Sequence, residues 1–157
     1  MDPMKDPHPL DGVVLHELKQ LTDPRGAVLH MLRCDSELFS KFGEVYFSEV
    51  NPGAIKAWKR HKKMTQHITV PVGKIQLVLY DDREGSPTRK EMREYEIGRP
   101  TAYVLIRIPP GIWYGFANPG PGMALLANCA DLPHDPAESE SSAITEGPIE
   151  FHWLNKG

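Results

Sequence analysis

The sequence predicts an all-β domain built as a sandwich or a barrel, and two observations support this fold class. First, the 15 prolines and 13 glycines divide the chain into short segments, with turn signals such as DPRG, NPG, IPPG and NPGPG. Second, the segments between these turns are rich in β-branched and aromatic residues, as in EVYFSEV, KIQLVLYD and AYVLIRI. This spacing is typical of antiparallel strands and leaves little room for long helices.

Alternation of apolar and polar residues indicates which strands present one face to a core. It is clearest at Ile75, Leu77 and Leu79, and again at Val104 and Ile106. A last strand is predicted near 149–153. The one helix candidate, 35–41, is only about two turns long and could equally be a loop.

The chain length predicts one domain. With 157 residues, 40% of them apolar and 25% charged, the chain can bury one hydrophobic core but is too short for two ordinary domains. We expect residues 1–9 to be a flexible tail and residues 10–157 to form the domain. A segment near 133–146 is rich in Pro, Ser and Glu and is expected to be mobile.

Charge and hydropathy argue against several classes of function. The 18 basic and 21 acidic residues give a formal net charge of -3, which does not favour binding to nucleic acid. Apolar runs such as AYVLI are about five residues long, whereas a membrane span needs about 20. The acidic, proline-containing start MDPMKDPHPLDG does not resemble a signal peptide, so we expect a cytoplasmic protein. Cys34 and Cys129 lack metal-ligand spacing and are expected to be reduced thiols.

The stretch KAWKRHKKMTQH, 56–67, gathers five cationic side chains around one tryptophan. Such a run is either a solvated loop without a partner or a site for an anionic group such as a diphosphate. Alternation along a strand separates two sets of side chains, of which only one can point into a barrel. These sets are Lys59, His61 and Lys63, and Trp58, Arg60 and Lys62.

A second stretch, IPPGIWYGFAN at 108–118, ends a strand in a Pro-Pro-Gly turn followed by aromatic residues. Alone it is consistent with a tight turn and a hydrophobic plug. Together with the basic stretch it is similar to the two motifs of the cupin class of double-stranded β-helix barrels. The scaffold positions of those motifs are kept at Gly73, Pro109, Gly111 and Asn118.

The metal-ligand positions of the cupin motifs have changed. Three of the four hold Lys59, Gln66 and Tyr114, and only His61 remains a ligand type. Divalent metals bind neutral imidazoles and carboxylates, and a protonated lysine repels them. We therefore predict that the site holds no metal.

Among metal-free cupins, the chain resembles the dTDP-4-dehydrorhamnose 3,5-epimerase family over most of its length, 11–153. The resemblance is carried by DPRG at 23–26, by DREGSPT at 82–88, and by IPPG at 108–111 with Gly115 and Phe116. The DREGSPT string is the most specific, because a generic barrel does not require it. The family implies a cupin-type jelly-roll barrel, a homodimer, no metal or organic cofactor, and a nucleotide-linked sugar whose diphosphate is held at the barrel mouth partly by the partner subunit.

The family reaction removes a proton next to the C4 ketone of a 4-keto-6-deoxy sugar and returns it on the opposite face, which needs a base and an acid. The position of the family's histidine base holds Lys59. The position of its tyrosine acid falls on Leu125 or Leu126. Tyr114 replaces a further family histidine and is a candidate acid, and Glu146 lies where the family carries an acidic partner for its histidine.

We therefore expect a nucleotide-sugar epimerase or isomerase. A 3,4-ketoisomerase is one alternative, and a nucleotide-sugar-binding protein without turnover is another, because the base is altered and the usual acid is missing. Asp81 and Asp82 are interpreted as part of a structural turn. The catalytic candidates are Lys59, His61, His67 and Tyr114. The substrate-binding candidates are Arg25, Lys56, Trp58, Arg60, Gln66 and Trp113.

Overall fold

The computed structural model describes residues 2–145 and 149–153, and the described part contains twelve strands and two short 3-10 helices. The helices are Pro3–Lys5 and Pro136–Glu138. Neither is long or apolar enough to span a membrane. The strands are β1 (Val14–Glu17), β2 (Gln20–Asp23), β3 (Gly26–Leu29), β4 (Glu44–Val50), β5 (Ile55–His61), β6 (Gln66–Val72), β7 (Lys74–Asp81), β8 (Met92–Gly98), β9 (Val104–Ile108), β10 (Ile112–Ala117), β11 (Ala124–Ala130) and β12 (Ser139–Ser141).

Ten of these strands form two five-stranded antiparallel sheets. The first sheet has the order β1-β9-β6-β11-β4, and the second sheet has the order β12-β5-β10-β7-β8. Strands β2 and β3 form a separate hairpin. Most neighbours in each sheet are distant in sequence, as in a jelly roll, and the predicted all-β cupin-type fold is confirmed.

The main core lies between the two sheets. Alternate side chains of β7 and β9 point into it, including Ile75, Leu77, Val104 and Ile106, all fully buried. This is the face that the alternation in the sequence predicted. Burial of these side chains supplies the main apolar contribution to folding.

The chain after β12 covers the outer face of the second sheet. Ile149 and Trp153 pack there against Trp58, Val78 and Trp113. The ring centroids of Trp58 and Trp153 lie 5.1 Å apart. The strand predicted near 149–153 is therefore wrong, because this segment is held by its apolar side chains and pairs with no strand.

Three other segments differ from simple sequence expectations. Residues 35–41 form turns and contain no helix. Within the segment near 133–146, the β12 backbone pairs with β5, an interaction that composition does not reveal. Near the N-terminus, the hydroxyl of Tyr95 donates a hydrogen bond to Asp6, and Arg93 donates to the carbonyl of His8. The mobility of 1–9 and 133–146, and the domain boundary, stay predictions.

Two of the cupin scaffold positions, Gly73 and Gly111, require glycine in this structure. Gly73, in the turn between β6 and β7, has a φ of +73°, and a Cβ there would lie 2.8 Å from the Cα of Ala124. Gly111 has a φ of +89°, and a Cβ there would lie 2.8 Å from two side-chain carbons of Arg83. Both positions adopt the left-handed region that favours glycine, and a side chain at either would displace its neighbour.

The DREGSPT string forms a hydrogen-bonded cluster next to the Pro-Pro-Gly turn. The carboxylate of Asp81, which is fully buried, accepts hydrogen bonds from Arg83, Ser86 and Thr88 at 2.6–2.9 Å. Arg83 also donates to the carbonyl of Asp11. Asp81 therefore ties the loop after β7 to the N-terminal segment and plays no part in the cavity described below.

Candidate active site

A cavity of about 390 Å³, partly open to solvent, lies between the two sheets. Its floor is apolar and is formed by Ile68, Phe116 and Leu126. Among the described residues, two lysines and no carboxylate line it. Such a site suits a ligand that carries an anionic group or a polarised carbonyl. The polar side chains of the lining are Tyr46, Ser48, Lys56, Lys59, Gln66, Tyr114, Asn128, Ser141 and Ser142.

The register of the second sheet brings three of these residues side by side. Lys59 lies directly opposite Tyr114 on β10 and opposite Ser141 on β12. Opposed residues of antiparallel strands share one face of a sheet, and here that face lines the cavity. The alternate positions, Arg60 and Trp113, are also opposed and lie on the outer face.

A hydrogen-bonded chain of three buried side chains ends at the cavity. Nδ1 of His61 makes a short hydrogen bond with the carboxylate of Glu138, and Nε2 lies 3.2 Å from the hydroxyl oxygen of Tyr114. Glu138 also accepts hydrogen bonds from the backbone N–H groups of Lys63 and Met64, both at 3.2 Å. The order Glu138, His61, Tyr114 provides a route for a proton between the cavity and a buried carboxylate.

The environment sets the protonation of both ends of this chain. Burial raises the pKa of Glu138, but the hydrogen bonds from His61 and from two backbone N–H groups outweigh it, so the pKa lies below its ordinary value. Burial also raises the pKa of Tyr114 strongly, and the charges of Tyr46 and Glu138 add to this rise. At neutral pH this hydrogen-bonded series therefore has the ionised carboxylate of Glu138 at its buried end and the protonated phenol of Tyr114 at the cavity.

The wall formed by the first sheet carries a neutral polar network. The Nδ2 atom of Asn128 donates to the hydroxyl oxygen of Tyr46 at 2.8 Å and to Oε1 of Gln66 at 3.1 Å. Gln66 lines the cavity with Tyr114 and opposes the rise in the pKa of that tyrosine. The network connects the two walls of the cavity through side chains from β4, β6, β10 and β11.

The two lysines of the cavity differ in their partners. Nζ of Lys56 donates to the hydroxyl of Ser48 at 2.9 Å and to the carbonyl of Glu49 at 2.7 Å. The Lys59 side chain has no hydrogen bond or ion pair with any residue in 2–145 or 149–153. The nearby carboxylate of Glu140 is paired with Arg60. The ammonium group of Lys59 is therefore free to act on a ligand.

Three known proteins are similar to this chain over three quarters of its length or more. A spore coat polysaccharide biosynthesis protein, SpsL of Bacillus subtilis, is 31% identical over 146 residues, which are 92% of this chain and 96% of SpsL. A probable low-salt glycan biosynthesis epimerase, Agl13 of Haloferax volcanii, is 36% identical over 76% of this chain and 77% of its own. A solved dTDP-sugar isomerase from Desulfovibrio desulfuricans is 52% identical, covers 94% of both chains and superposes with a TM-score of 0.90.

The chain belongs to the dTDP-4-dehydrorhamnose 3,5-epimerase family. A search of family models gave no match.

The structure places only part of the predicted site at the cavity of this epimerase-family fold. Lys56, Lys59, Gln66 and Tyr114 line it, and Trp58 borders it while its ring packs against Trp153. His61 lies directly behind Tyr114 and does not line the cavity. These residues come together from β5, β6 and β10. Strict alternation along β5 does not hold at the cavity, because Lys56, Trp58 and Lys59 all border it and the pairing of β5 with β10 shifts register between Tyr114 and Phe116.

Four other predicted residues lie elsewhere. Arg60 and Trp113 contact each other on the outer face of the second sheet, with the guanidinium 4.5 Å from the ring centroid. His67 points away from the cavity, with Nδ1 2.8 Å from the carbonyl of Cys129 and Nε2 2.9 Å from that of Leu38. The physical reason is alternation, because each of these three is one position away from a residue that lines the cavity. Arg25 is on the tip of the β2–β3 hairpin, paired with Asp23 at 3.0 Å.

Sequence reasoning missed several residues of this site. In EVYFSEV, the polar Tyr46 and Ser48 line the cavity while Val45 and Phe47 are 45% and 64% exposed. This reversed polarity was a readable sign of a polar interior. Asn128, the one polar amide within ALLANCA, was another. Glu138 gave no such sign, because its stretch resembles a mobile linker.

Glu146, the predicted acidic partner, lies outside the described residues, and Glu138 is the carboxylate that contacts His61. Among residues 2–145 and 149–153, no three His, Cys, Asp or Glu side chains are grouped so that they could hold a metal ion. The absence of a cofactor stays a prediction.

Proposed function

We propose that this protein is a nucleotide-sugar epimerase that acts on the carbon next to the C4 ketone of a 4-keto-6-deoxy sugar linked to a nucleoside diphosphate. The observation that carries the proposal is the hydrogen-bonded series from Glu138 through His61 to Tyr114, which ends in the cavity beside Lys59, whose ammonium group has no partner among the described residues. Its relatives include a probable glycan biosynthesis epimerase and a dTDP-sugar isomerase.

The roles of these groups follow from their order. The oxygen of Tyr114 takes the proton from the sugar carbon as His61 takes the phenolic proton, and Glu138 stabilises the imidazolium that forms. Removal of this proton converts the ketone into an enolate. Lys59, opposite Tyr114 in register, stabilises the enolate oxygen with its positive charge. In this proposal Lys59 is therefore not the base, although it occupies the position of the family's histidine base. This reaction needs no metal or organic cofactor.

The diphosphate is expected at the mouth of the cavity. Lys56, near the start of β5, lines the cavity. Its ammonium group can donate charge-assisted hydrogen bonds to a phosphate oxygen. Lys56 therefore serves binding, whereas Lys59, in register with Tyr114, serves the reaction.

A homodimer and a cytoplasmic location belong to the same proposal. The β2–β3 hairpin exposes Leu21 and Val28 at 53% and 62%, and the outer face of β4 exposes Phe47 at 64%, so both are apolar surfaces that a second copy can cover. Arg25, at the tip of the hairpin, is the residue that we expect one protomer to contribute to the diphosphate site of its partner. Size measurement by light scattering tests the dimer.

The free thiols Cys34 and Cys129 fit a reducing compartment.

Deuterium incorporation tests the proposed reaction. The protein is incubated with dTDP-4-keto-6-deoxyglucose in heavy water, and the C3 and C5 protons are followed by NMR. Exchange at C3 and C5 is expected for an epimerase of both centres, and exchange at C3 alone indicates a 3-epimerase or a 3,4-ketoisomerase. Binding of the nucleotide without any exchange would contradict catalysis and favour a binding protein.

A further inference from the structure

Tyr46 places a second tyrosine hydroxyl at the cavity, on the wall opposite Tyr114. Tyr46 lies on β4 of the first sheet and Tyr114 on β10 of the second. Both side chains line the same cavity. Strand β11, beside β4, presents Leu126 to the cavity and offers no hydroxyl there. Epimerisation needs proton-exchanging groups on both faces of the sugar, and Tyr46 is placed to serve the second face.

The hydrogen bonding of Tyr46 leaves its proton available. Tyr46 pairs in register with Asn128, whose Nδ2 atom donates to the phenolic oxygen at 2.8 Å. The same nitrogen donates to Gln66, which fixes the orientation of the amide. Because the oxygen of Tyr46 is the acceptor, its O–H is free to donate, and no residue in 2–145 or 149–153 accepts from it.

The surroundings keep this phenol protonated until it reacts. Burial raises the pKa of Tyr46 above its ordinary value, while the hydrogen bond from Asn128 opposes the rise. The phenol therefore carries its proton at neutral pH. When the proton leaves, the amide N–H is already aimed at the oxygen and stabilises the phenolate that develops.

We propose that Tyr46 is the general acid that delivers the proton to the sugar carbon on the face opposite Tyr114, with Asn128 as its positioning residue. The inference rests on the proposed function. In this step the enolate re-forms the C4 ketone, its carbon–carbon double bond supplies the electron pair of the new C–H bond, and the O–H bond of Tyr46 breaks. Solvent then returns a proton to the phenolate.

The variant Tyr46→Phe separates proton removal from inversion. In heavy water, we expect Tyr46→Phe to return deuterium to the original face through Tyr114, so that substrate of retained configuration becomes labelled at a rate within about fivefold of wild type. Formation of the epimer should fall about 100-fold or more, the usual contribution of a general acid. NMR resolves the labelled substrate from the epimer in one experiment.

Matched variants control for folding and for loss of a hydroxyl in general. Tyr80→Phe removes a hydroxyl from the cluster on the outer face of the second sheet and should change neither rate by more than about twofold. Thermal unfolding and dTDP binding show whether Tyr46→Phe is folded. As a second test of the same site, Asn128→Leu should lower the ratio of inversion to exchange about tenfold, since it removes the N–H that stabilises the phenolate.

Three outcomes would overturn the assignment. Inversion by Tyr46→Phe within about threefold of wild type would show that another group is the acid. Equal loss of exchange and inversion with dTDP binding intact would place Tyr46 in proton removal instead. If Asn128→Leu leaves the ratio of inversion to exchange unchanged, Asn128 is not the positioning residue of Tyr46. Absence of exchange and of epimer in wild type would instead refute the proposed function, and this inference with it.

Discussion

The Nε2 atom of His61 lies 3.2 Å from the hydroxyl oxygen of Tyr114, and this contact connects the buried carboxylate of Glu138 to the cavity. The two rings are nearly parallel, with an interplanar angle of 12° and centroids 5.9 Å apart. Because β12 holds the edge of β5 in register, the segment that carries Glu138 is fixed beside His61. A stretch that resembles a linker in sequence thus completes the proposed proton route.

Replacing Glu138 should slow the reaction without removing the ligand site. In Glu138→Gln the charge that stabilises an imidazolium on His61 is lost, so we expect kcat to fall at least about tenfold. The affinity for dTDP, measured by calorimetry, should change little because Glu138 does not line the cavity. Glu140→Gln is the matched control, since Glu140 pairs with Arg60 outside the cavity. A kcat for Glu138→Gln equal to that of the control would contradict the route.

The two cavity lysines should respond differently to the loss of their charge. We expect Lys59→Met to lower kcat about 100-fold, because a single group that stabilises an oxyanion contributes about that much. Lys56→Met should weaken dTDP binding about tenfold, as expected for a charge-assisted hydrogen bond. Steady-state kinetics and calorimetry separate the two effects. An effect of Lys59→Met on affinity alone would show that Lys59 binds the diphosphate instead.

Asp81 should control stability and its dependence on pH. Burial raises the pKa of Asp81, but hydrogen bonds from Arg83, Ser86 and Thr88 outweigh this effect and lower it strongly. A carboxyl whose pKa is lower in the folded state stabilises the protein above the unfolded value, about 3.9, and loses this effect as pH falls toward the folded value.

Asp81→Asn should therefore lower the free energy of unfolding at pH 7 by about 3 kcal/mol, as in other broken buried ion pairs. The difference from wild type should shrink as pH falls below about 4. Urea unfolding of both proteins at several pH values measures this difference in the free energy of unfolding. Asp82→Asn, whose pair with Arg89 spans 3.7 Å at the surface, should cost less than about 1 kcal/mol. A constant difference between pH 7 and pH 3 would show that the charge of Asp81 is not responsible.

A side chain at Gly73 should destabilise the protein more than a side chain at Gly85. Gly73 and Gly85 have nearly equal φ angles, +73° and +76°, but an added Cβ meets Ala124 only at Gly73 and meets nothing within 4 Å at Gly85. Gly85→Ala thus reports backbone strain alone, about 1 kcal/mol. Gly73→Ala should cost at least about 1 kcal/mol more in urea unfolding, because it adds overpacking. Equal losses would mean that the β6–β7 turn relaxes freely.

Much of the fold was readable from the sequence because strands alternate with period two. From sequence position alone, the same rule assigns Lys59 and His61 to one face of β5 and Trp58 and Arg60 to the other. The resemblance to the epimerase family added the jelly-roll topology and a ligand site at the barrel mouth. Where local pattern and family agreed, as at Tyr114, the predicted residue lies at the cavity.

The rest of the site depends on contacts that no local pattern encodes. Glu138 reaches His61 only because β12 pairs with β5, and backbone pairing of a short edge strand leaves little trace in composition. Tyr46 belongs to a strand with apolar residues outside, so the usual rule that apolar side chains face inward concealed it. Trp153 was assigned to a strand, but its ring is held by Trp58 and Phe151.

The most direct test of the account is the rate of deuterium incorporation into dTDP-4-keto-6-deoxyglucose by wild type and by Tyr114→Phe. The account predicts that the variant binds dTDP within about threefold of wild type, while incorporation at the carbon next to the ketone falls about 100-fold or more. Incorporation by a folded Tyr114→Phe variant at a rate within about threefold of wild type would contradict a proton route through Tyr114, His61 and Glu138.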